Sequence, residues 1–395
     1  MSAIGDPQLI KLINQGVVYR MLRAKPGMSR AQLSQFTGLT KSTISLLVKE
    51  LIEERWLVES DIFSKNSMGR PSTSIFVDSQ SRSLIGVEFT KDQIQLVAVS
   101  TAGEVRFTQQ LVHSASDIDS VLSLIAKLVA EANDKIQETG LLLGGIGVAY
   151  AGVFDEGSGT LRSATDFSWK NEPIVQKLRA AFKRLGMADI PLFVHSKNHC
   201  CAVGAYELSE QRADTLMYLD FNGAIHMGIV VGDRICAGVS GTAGDIGHTF
   251  IQGDGPVCAV CGRSGCVDAW LASDALEQLP DTSVRASVVA ALLHNLWKAF
   301  NPSIFVIGGH SVARWPGLFD AAKERFLQEH SKEADVPAIH FCQRGELAAA
   351  VGAAALPHYY RLRPLEGPSS AISRALDFTG QRLPRDTAHE HISWN

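Results

Sequence analysis

Ala243-Gly244-Asp245-Ile246-Gly247-His248 is followed, ten residues beyond its histidine, by Cys258-Ala259-Val260-Cys261-Gly262-Arg263-Ser264-Gly265-Cys266. One imidazole and three thiols thus fall within 19 residues. A structural Zn²⁺ site closes about four tetrahedral positions with Cys thiolates and His nitrogens. His248, Cys258, Cys261 and Cys266 supply that set. Gly262 and Gly265 let the backbone fold tightly around an ion, which Cβ-bearing residues resist. Scattered cysteines pack as small hydrophobes. Three of the chain's seven crowded into nine residues favour metal over that alternative.

The same segment resembles the signature of the ROK family, which contains bacterial sugar kinases and sugar-responsive transcriptional repressors with a zinc-stabilised sugar site. Family members carry Glu-x-Gly-His and then Cys-x-Cys-Gly-x-x-Gly-Cys-x-Glu. Here the glutamates are Asp245 and Asp268, and the first cysteine gap is one residue longer. The resemblance extends from about Leu9 to about Ala355.

With 395 residues, 46% hydrophobic and 20% charged, the chain suits two or three domains with real cores. No opening apolar run follows a basic start, and no stretch reaches the roughly 18–20 apolar residues of a membrane span. A cytoplasmic protein with no membrane partner is expected, and an odd number of cysteines suits a reducing compartment. The net charge of −4 is uneven, since residues 1–75 carry ten Lys/Arg against six Asp/Glu. A basic amino-terminal module of charge +4 on a body of charge −8 is the asymmetry expected when only that module meets phosphate.

Ser29-Arg-Ala-Gln-Leu33-Ser-Gln-Phe36 starts with a good N-cap and reads as a short helix. Thr37-Gly38-Leu39 is a tight turn, and Thr40 caps a second helix running to about Arg55. Leu33, Leu39, Ile44, Leu47, Val48 and Leu51 fall where two such helices bury apolar side chains. Thr40, Lys41, Ser42, Thr43, Ser45 and Lys49 are left on or near the exposed face, where hydroxyls and lysines reach base edges and phosphates of double-stranded DNA. With a preceding amphipathic helix at Ile10–Leu22 and wing strands at Trp56–Glu59 and Ser74–Asp78, residues 1–80 read as a winged helix-turn-helix. Between the wing strands, Gly69-Arg70-Pro71 holds one arginine on an extended arm suited to a narrow minor groove. ROK repressors carry a similar Gly-Arg-Pro element there.

From about Ser83 the pattern becomes α/β. Leu84–Phe89, Ile94–Val99 and a turn at Thr101–Glu104 form a β-meander; Ile118–Glu138 is a long amphipathic helix; Gly144–Tyr150 is a buried strand ending at Gly152. A second pass places strands at Thr215–Leu219, His226–Val231 and Ile304–Ile307, a helix at Val288–Phe300, and a tight turn at Gly308-Gly309. The resemblance implies a two-lobed, actin-like ATPase body over residues 81–362, with the zinc loop at 244–268. Residues 363–395, rich in Ser, Pro and Arg, read as a tail.

Position by position, the family's chemistry is altered. The kinases read Glu-Asn-Asp, with the Asp as general base, where this chain has Lys197-Asn198-His199. Their first phosphate motif, Asp-x-Gly-x-Thr, is here Glu88-Phe-Thr90-Lys91-Asp92, and Thr90 crowds the close backbone approach a phosphate needs. The second phosphate loop, Asp220 to Gly228, is bulkier, and only Gly308-Gly309 survives on the adenosine side. These departures imply no catalytic residues and a regulator, with Zn²⁺, that represses carbohydrate genes. A sugar or sugar-phosphate effector would lie among Gly152, Asn198, His199, Asp245, His248 and Asp268, where carboxylates and amides pair with vicinal hydroxyls. Asn198 and His199 also read as a satisfied buried pair. Binding to a DNA operator as a homodimer or dimer of dimers is expected. An active ROK kinase fused to a DNA-binding domain and a module without an effector are the alternatives.

Overall fold

The computed structural model describes residues 7–60, 73–208, 213–278 and 282–363. The amino-terminal unit is a winged helix-turn-helix: α1 (Pro7–Ala24), α2 (Arg30–Thr37), α3 (Lys41–Glu53), and strands β1 (Leu57–Ser60) and β2 (Ser74–Val77) paired antiparallel. Local chemistry sets its boundaries. Ser29 caps α2 in a full capping box with Gln32, Gly38 ends it in the left-handed region at φ 74°, and Thr40 caps α3 by accepting from the Thr43 N–H. Val18, Leu22, Leu33, Ile44, Val48 and Ile75 form its core. The Gly69-Arg70-Pro71 arm lies outside the described residues.

The body holds two sheets of one topology. In the first lobe β3 (Arg82–Phe89), β4 (Gln93–Ser100) and β5 (Val105–Val112) form an antiparallel meander. Helix α4 (Ile118–Glu138) leads to β6 (Leu142–Tyr150), parallel to β3. A small antiparallel sheet of β7 (Gly152–Asp155), β8 (Thr160–Ala164) and β9 (Lys170–Glu172) and helix α5 (Ile174–Arg184) precede β10 (Leu192–Ser196), parallel to β6. Helix α6 (Lys197–Glu207) then leads to the second lobe, where β11 (Thr215–Asn222), β12 (Ala224–Val231) and β13 (Arg234–Ile235) repeat the meander. After the cysteine loop come α7 (Val267–Leu271), α8 (Ser273–Gln278), α9 (Thr282–Phe300), β14 (Ile304–Gly308), α10 (His310–Arg314), α11 (Pro316–Glu329), β15 (Ala338–Phe341) and α12 (Ala348–Leu362). The orders β10-β6-β3-β4-β5 and β13-β12-β11-β14-β15 are one order used twice, the duplicated two-lobed architecture expected.

Strand alternation builds the layers. Ile85, Val87 and Phe89 pack toward α4 and α5, whereas Leu84 packs with Ala350 and Ala354 of α12. In the second sheet Met217, Leu219 and Phe221 face α9 and α11, and Leu216 and Tyr218 face α6. Helices α6 and α12 are therefore the shared layer between the sheets. They approach so closely that a Cβ on Gly352 would lie 2.0 Å from the Cys200 carbonyl oxygen. Helix α12 is buried nearly all round and carries no amphipathic pattern to mark it in the sequence. Arg363, placed at the start of a tail, is instead 6% exposed and ion-paired to Glu207. Among the described residues no helix is long and apolar enough to cross a membrane.

Candidate functional site

The cysteine loop folds on its own backbone. The Gly262 N–H donates to the Cys258 carbonyl, the Cys258 N–H to that of Arg263, and Gly262 and Gly265 take φ of 71° and 77°. The loop brings His248, Cys258, Cys261 and Cys266 together, with candidate ligand atoms all within 4.8 Å of one another. His248 Nδ1 lies 3.8 Å from Cys258 Sγ. A tetrahedral ion at a Zn–S distance of about 2.3 Å spaces its ligands about 3.8 Å apart. N–H groups of Cys261 and Val260 directed at Cys258 lower its thiol to about 7, while burial raises Cys266 to about 11. With Nδ1 turned to the thiols, Nε2 is the nitrogen His248 has left for another partner.

Asp268, on the first turn of α7, sits beside this cluster with Oδ2 3.8 Å from His248 Nδ1 and Oδ1 accepting from the Ile225 N–H at 2.8 Å. Burial raises its carboxyl. Asp245 is exposed and lies 3.8 Å from His226 Nδ1, so the structure adds His226 to the group. Asn198, at the first turn of α6, donates from Nδ2 to the Met227 carbonyl at 2.9 Å, tying α6 to β12. His199 is buried beneath the site: it is 2% exposed, Nδ1 is 2.9 Å from Ser196 Oγ, and the Ala243 backbone lies beside its ring. Burial, with His195 nearby, pushes it down to about 3, so it is neutral. Gly152 has a structural reason of its own, since a Cβ would stand 2.1 Å from the Ser163 carbonyl oxygen of β8. A cavity of about 470 Å³ opens beside it, lined among others by Val153, Asp155, Arg162, Ser240 and Thr242.

On the phosphate side the cleft is filled by the protein's own charges. Lys197 Nζ, at the start of α6, lies 2.7 Å from Glu88 Oε1, with Asp220 also acting on it. Burial raises Asp220 to about 6 against the opposing pull of Lys197. Thr90 Oγ1 is bonded to Asp92 at 2.6 Å, closing the first phosphate motif into a turn. The remaining space, lined by Glu88, Thr90, Lys197, Asn222 and His310 among others, is about 260 Å³, at the small end of the roughly 300–1,000 Å³ of ligand pockets. The sequence marks Lys197 as a departure from the family but gives no sign of its partner 109 positions away.

In the amino-terminal unit, α3 turns Ile44, Leu47, Val48 and Leu51 inward. Thr40, Lys41, Ser42, Ser45 and Lys49 are exposed, and Thr43 is half-buried with Oγ1 2.8 Å from Thr40 Oγ1. Lys49 is only loosely paired, 3.7 Å from Glu53.

These parts define a class: a winged helix-turn-helix joined to a two-lobed body of sugar-kinase architecture. The ROK family model matches residues 84–287, and a winged helix-turn-helix DNA-binding model matches residues 13–58. The chain belongs to the ROK family. It is 28% identical over 287 residues to a xylose repressor of Caldicellulosiruptor bescii, covering 72% of this chain and 70% of the relative. It is 25% identical over 287 residues to the DNA-binding transcriptional dual regulator NagC of Escherichia coli K12, covering 70% and 66%. The crystal structure of a ROK family transcriptional regulator, a homolog of the E. coli MLC protein, superposes with a TM-score of 0.71 at 19% identity, covering 93% of this chain and all of that one. A ROK family glucokinase from Streptomyces griseus, in complex with glucose and AMPPNP, superposes at 0.54 and 21% identity over 69% of this chain and 98% of that one.

Proposed function

We propose that this chain is a DNA-binding transcriptional regulator, a repressor of carbohydrate-utilisation genes, whose ROK body senses a sugar or sugar phosphate without phosphorylating it. The observation that carries the reading is the exposed row Lys41, Ser42, Ser45 and Lys49 on a helix whose entry is fixed by the Gly38 turn and the Thr40 cap. Such a row suits phosphates and base edges of the major groove, and Gly69-Arg70-Pro71 supplies a minor-groove contact. Two copies reading half-sites one or two helical turns apart supply more phosphate contacts than one. In the body, one Zn²⁺ held by His248, Cys258, Cys261 and Cys266 braces the loop. His248 Nε2, Asp245, Asp268 and the amide oxygen of Asn198 form a polar set for sugar hydroxyls, with Gly152 beside the cavity at their margin. His199, buried beside the Ala243 backbone, supports the set from beneath.

The Lys197–Glu88 pair and the burial of His199 speak against phosphoryl transfer, which needs a base at the acceptor hydroxyl and room for a cation and phosphates. Genomic footprinting with the full chain tests the reading. Protected sites with dyad-related halves near carbohydrate operons are expected; binding without any site preference overturns it.

A further inference from the structure

One helix runs from the cleft to the DNA-binding unit. Helix α6 begins with Lys197 and Asn198 in the cleft and ends at Glu207, about 15 Å further along its axis at 1.5 Å per residue. Glu207 is 1% exposed, and its carboxylate is divided between two units of the protein. Oε2 takes Arg23 of α1 at 2.5 Å, and Oε1 takes Arg363, just past α12, at 2.6 Å. Arg23 also donates to the Glu207 carbonyl. Burial by itself raises the Glu207 carboxyl, but Arg363 and Arg23 outweigh it and hold it below the ordinary range.

The surroundings make this a joint. Arg20 of α1 donates to the Leu362 carbonyl, and a Cβ on Gly16 would stand 2.7 Å from that oxygen. Tyr19 meets the His358 ring edge-on at 5.1 Å, and the guanidiniums of Arg82 and Arg361 lie 4.5 Å from the Trp56 ring. At its other end α6 is gripped by both lobes, through Lys197 to Glu88 of β3 and through Asn198 to Met227 of β12. Packing against α12 at Gly204 and Gly352 leaves no slack for bending.

We propose that α6 couples the cleft to the DNA-binding unit, and that the Arg23–Glu207 contact is where cleft geometry sets the position of α1 and hence of α3. This deepens the proposed function, since it rests on the cleft being the effector site. Rigid elements with two arrangements are the physical carriers of such coupling.

The test needs neither effector nor operator, so its failure leaves the DNA-binding reading standing. Hydrogen exchange is followed on the full chain in four proteins: the natural sequence, Lys197→Glu, Arg23→Gln, and both together. Lys197→Glu sets a carboxylate against Glu88 and disturbs the start of α6; Lys197→Met does so more gently if the charge reversal fails to fold. Arg23→Gln leaves Glu207 paired with Arg363, which keeps the body intact. The expected result is several-fold faster exchange in α6 and in residues 7–24 for the Lys197 variant alone, and loss of the Lys197 effect on residues 7–24 once Arg23 is Gln. Unchanged exchange in α6, an effect confined to α6, or an equal effect on residues 7–24 with and without Arg23 overturns the proposal.

Discussion

A Cβ on Gly247 would sit 2.4 Å from both Asp268 carboxylate oxygens, so this glycine lets the turn that carries His248 pass against the acid. The clustering of His248, Cys258, Cys261 and Cys266 was legible because metal chemistry needs particular residue types at short spacing. The state of His199 was not, because burial by residues far along the chain decides whether an imidazole faces a ligand or a core. Cys261→Ser removes one of the four proposed zinc ligands; if about 3 kcal/mol of metal-linked stability goes with it, Tm falls by about 5 °C for a body of this size. Metal analysis together with calorimetry checks this, and a variant that keeps a full zinc equivalent and its Tm contradicts it. His199→Asp places the family's acid in a site that is 2% exposed with Ser196 as its polar neighbour, and Lys197 and Thr90 remain. A coupled ADP-release assay with common hexoses is expected to stay at background for this variant and for the natural sequence. Sugar-dependent turnover near the roughly 1 s⁻¹ of ordinary kinases contradicts the non-catalytic reading.

Helix α4 spans the residues its amphipathic pattern indicated, because one face meets the sheet and the other meets water. Helix α12 escaped the same logic: all but Ala348 and Arg361 of its residues are buried, so it shows no polar stripe, and Pro357 within it argues against a helix on sequence grounds. The small sheet β7–β9 escaped because its strands are three to five residues long. In the winged unit, caps were readable since they depend on neighbours in sequence. Thr40→Ala is expected to cost about 1 kcal/mol by leaving the Thr43 N–H without its acceptor. Urea unfolding measures it, and no change in midpoint contradicts the assigned cap. Gly352→Val thrusts side-chain atoms into the backbone of α6 and is expected to prevent soluble folding.

At the scale of the whole molecule, charge governs both stability and DNA binding. His199 and His358 are each pushed down to about 3 by burial, so on acidification the unfolded chain binds their protons first, from about pH 6.5 downward. Asp220, raised to about 6, opposes them by holding in the folded state a proton that the unfolded chain takes up only near the ordinary aspartate range. Between pH 6 and 4 the two histidines outweigh Asp220 by about one proton, so these three groups together lower stability by about 1.4 kcal/mol per pH unit, and the lowered carboxyls of Glu207 and Glu156 act in the same direction toward pH 4. Urea melts at pH 7, 6, 5 and 4 check this, and stability that rises toward pH 4 contradicts the burial of the two histidines.

The +4 amino-terminal module is the part of the molecule expected to meet phosphate. The most direct test of the regulator account is the salt dependence of full-chain binding to one footprinted site, for the natural sequence, Lys41→Ala and Lys49→Ala. A steep loss of affinity with salt is predicted, with the slope of log K against log salt reduced by about one unit per lysine removed from each bound copy. An unchanged affinity and slope in both variants would contradict the placement of α3 on DNA.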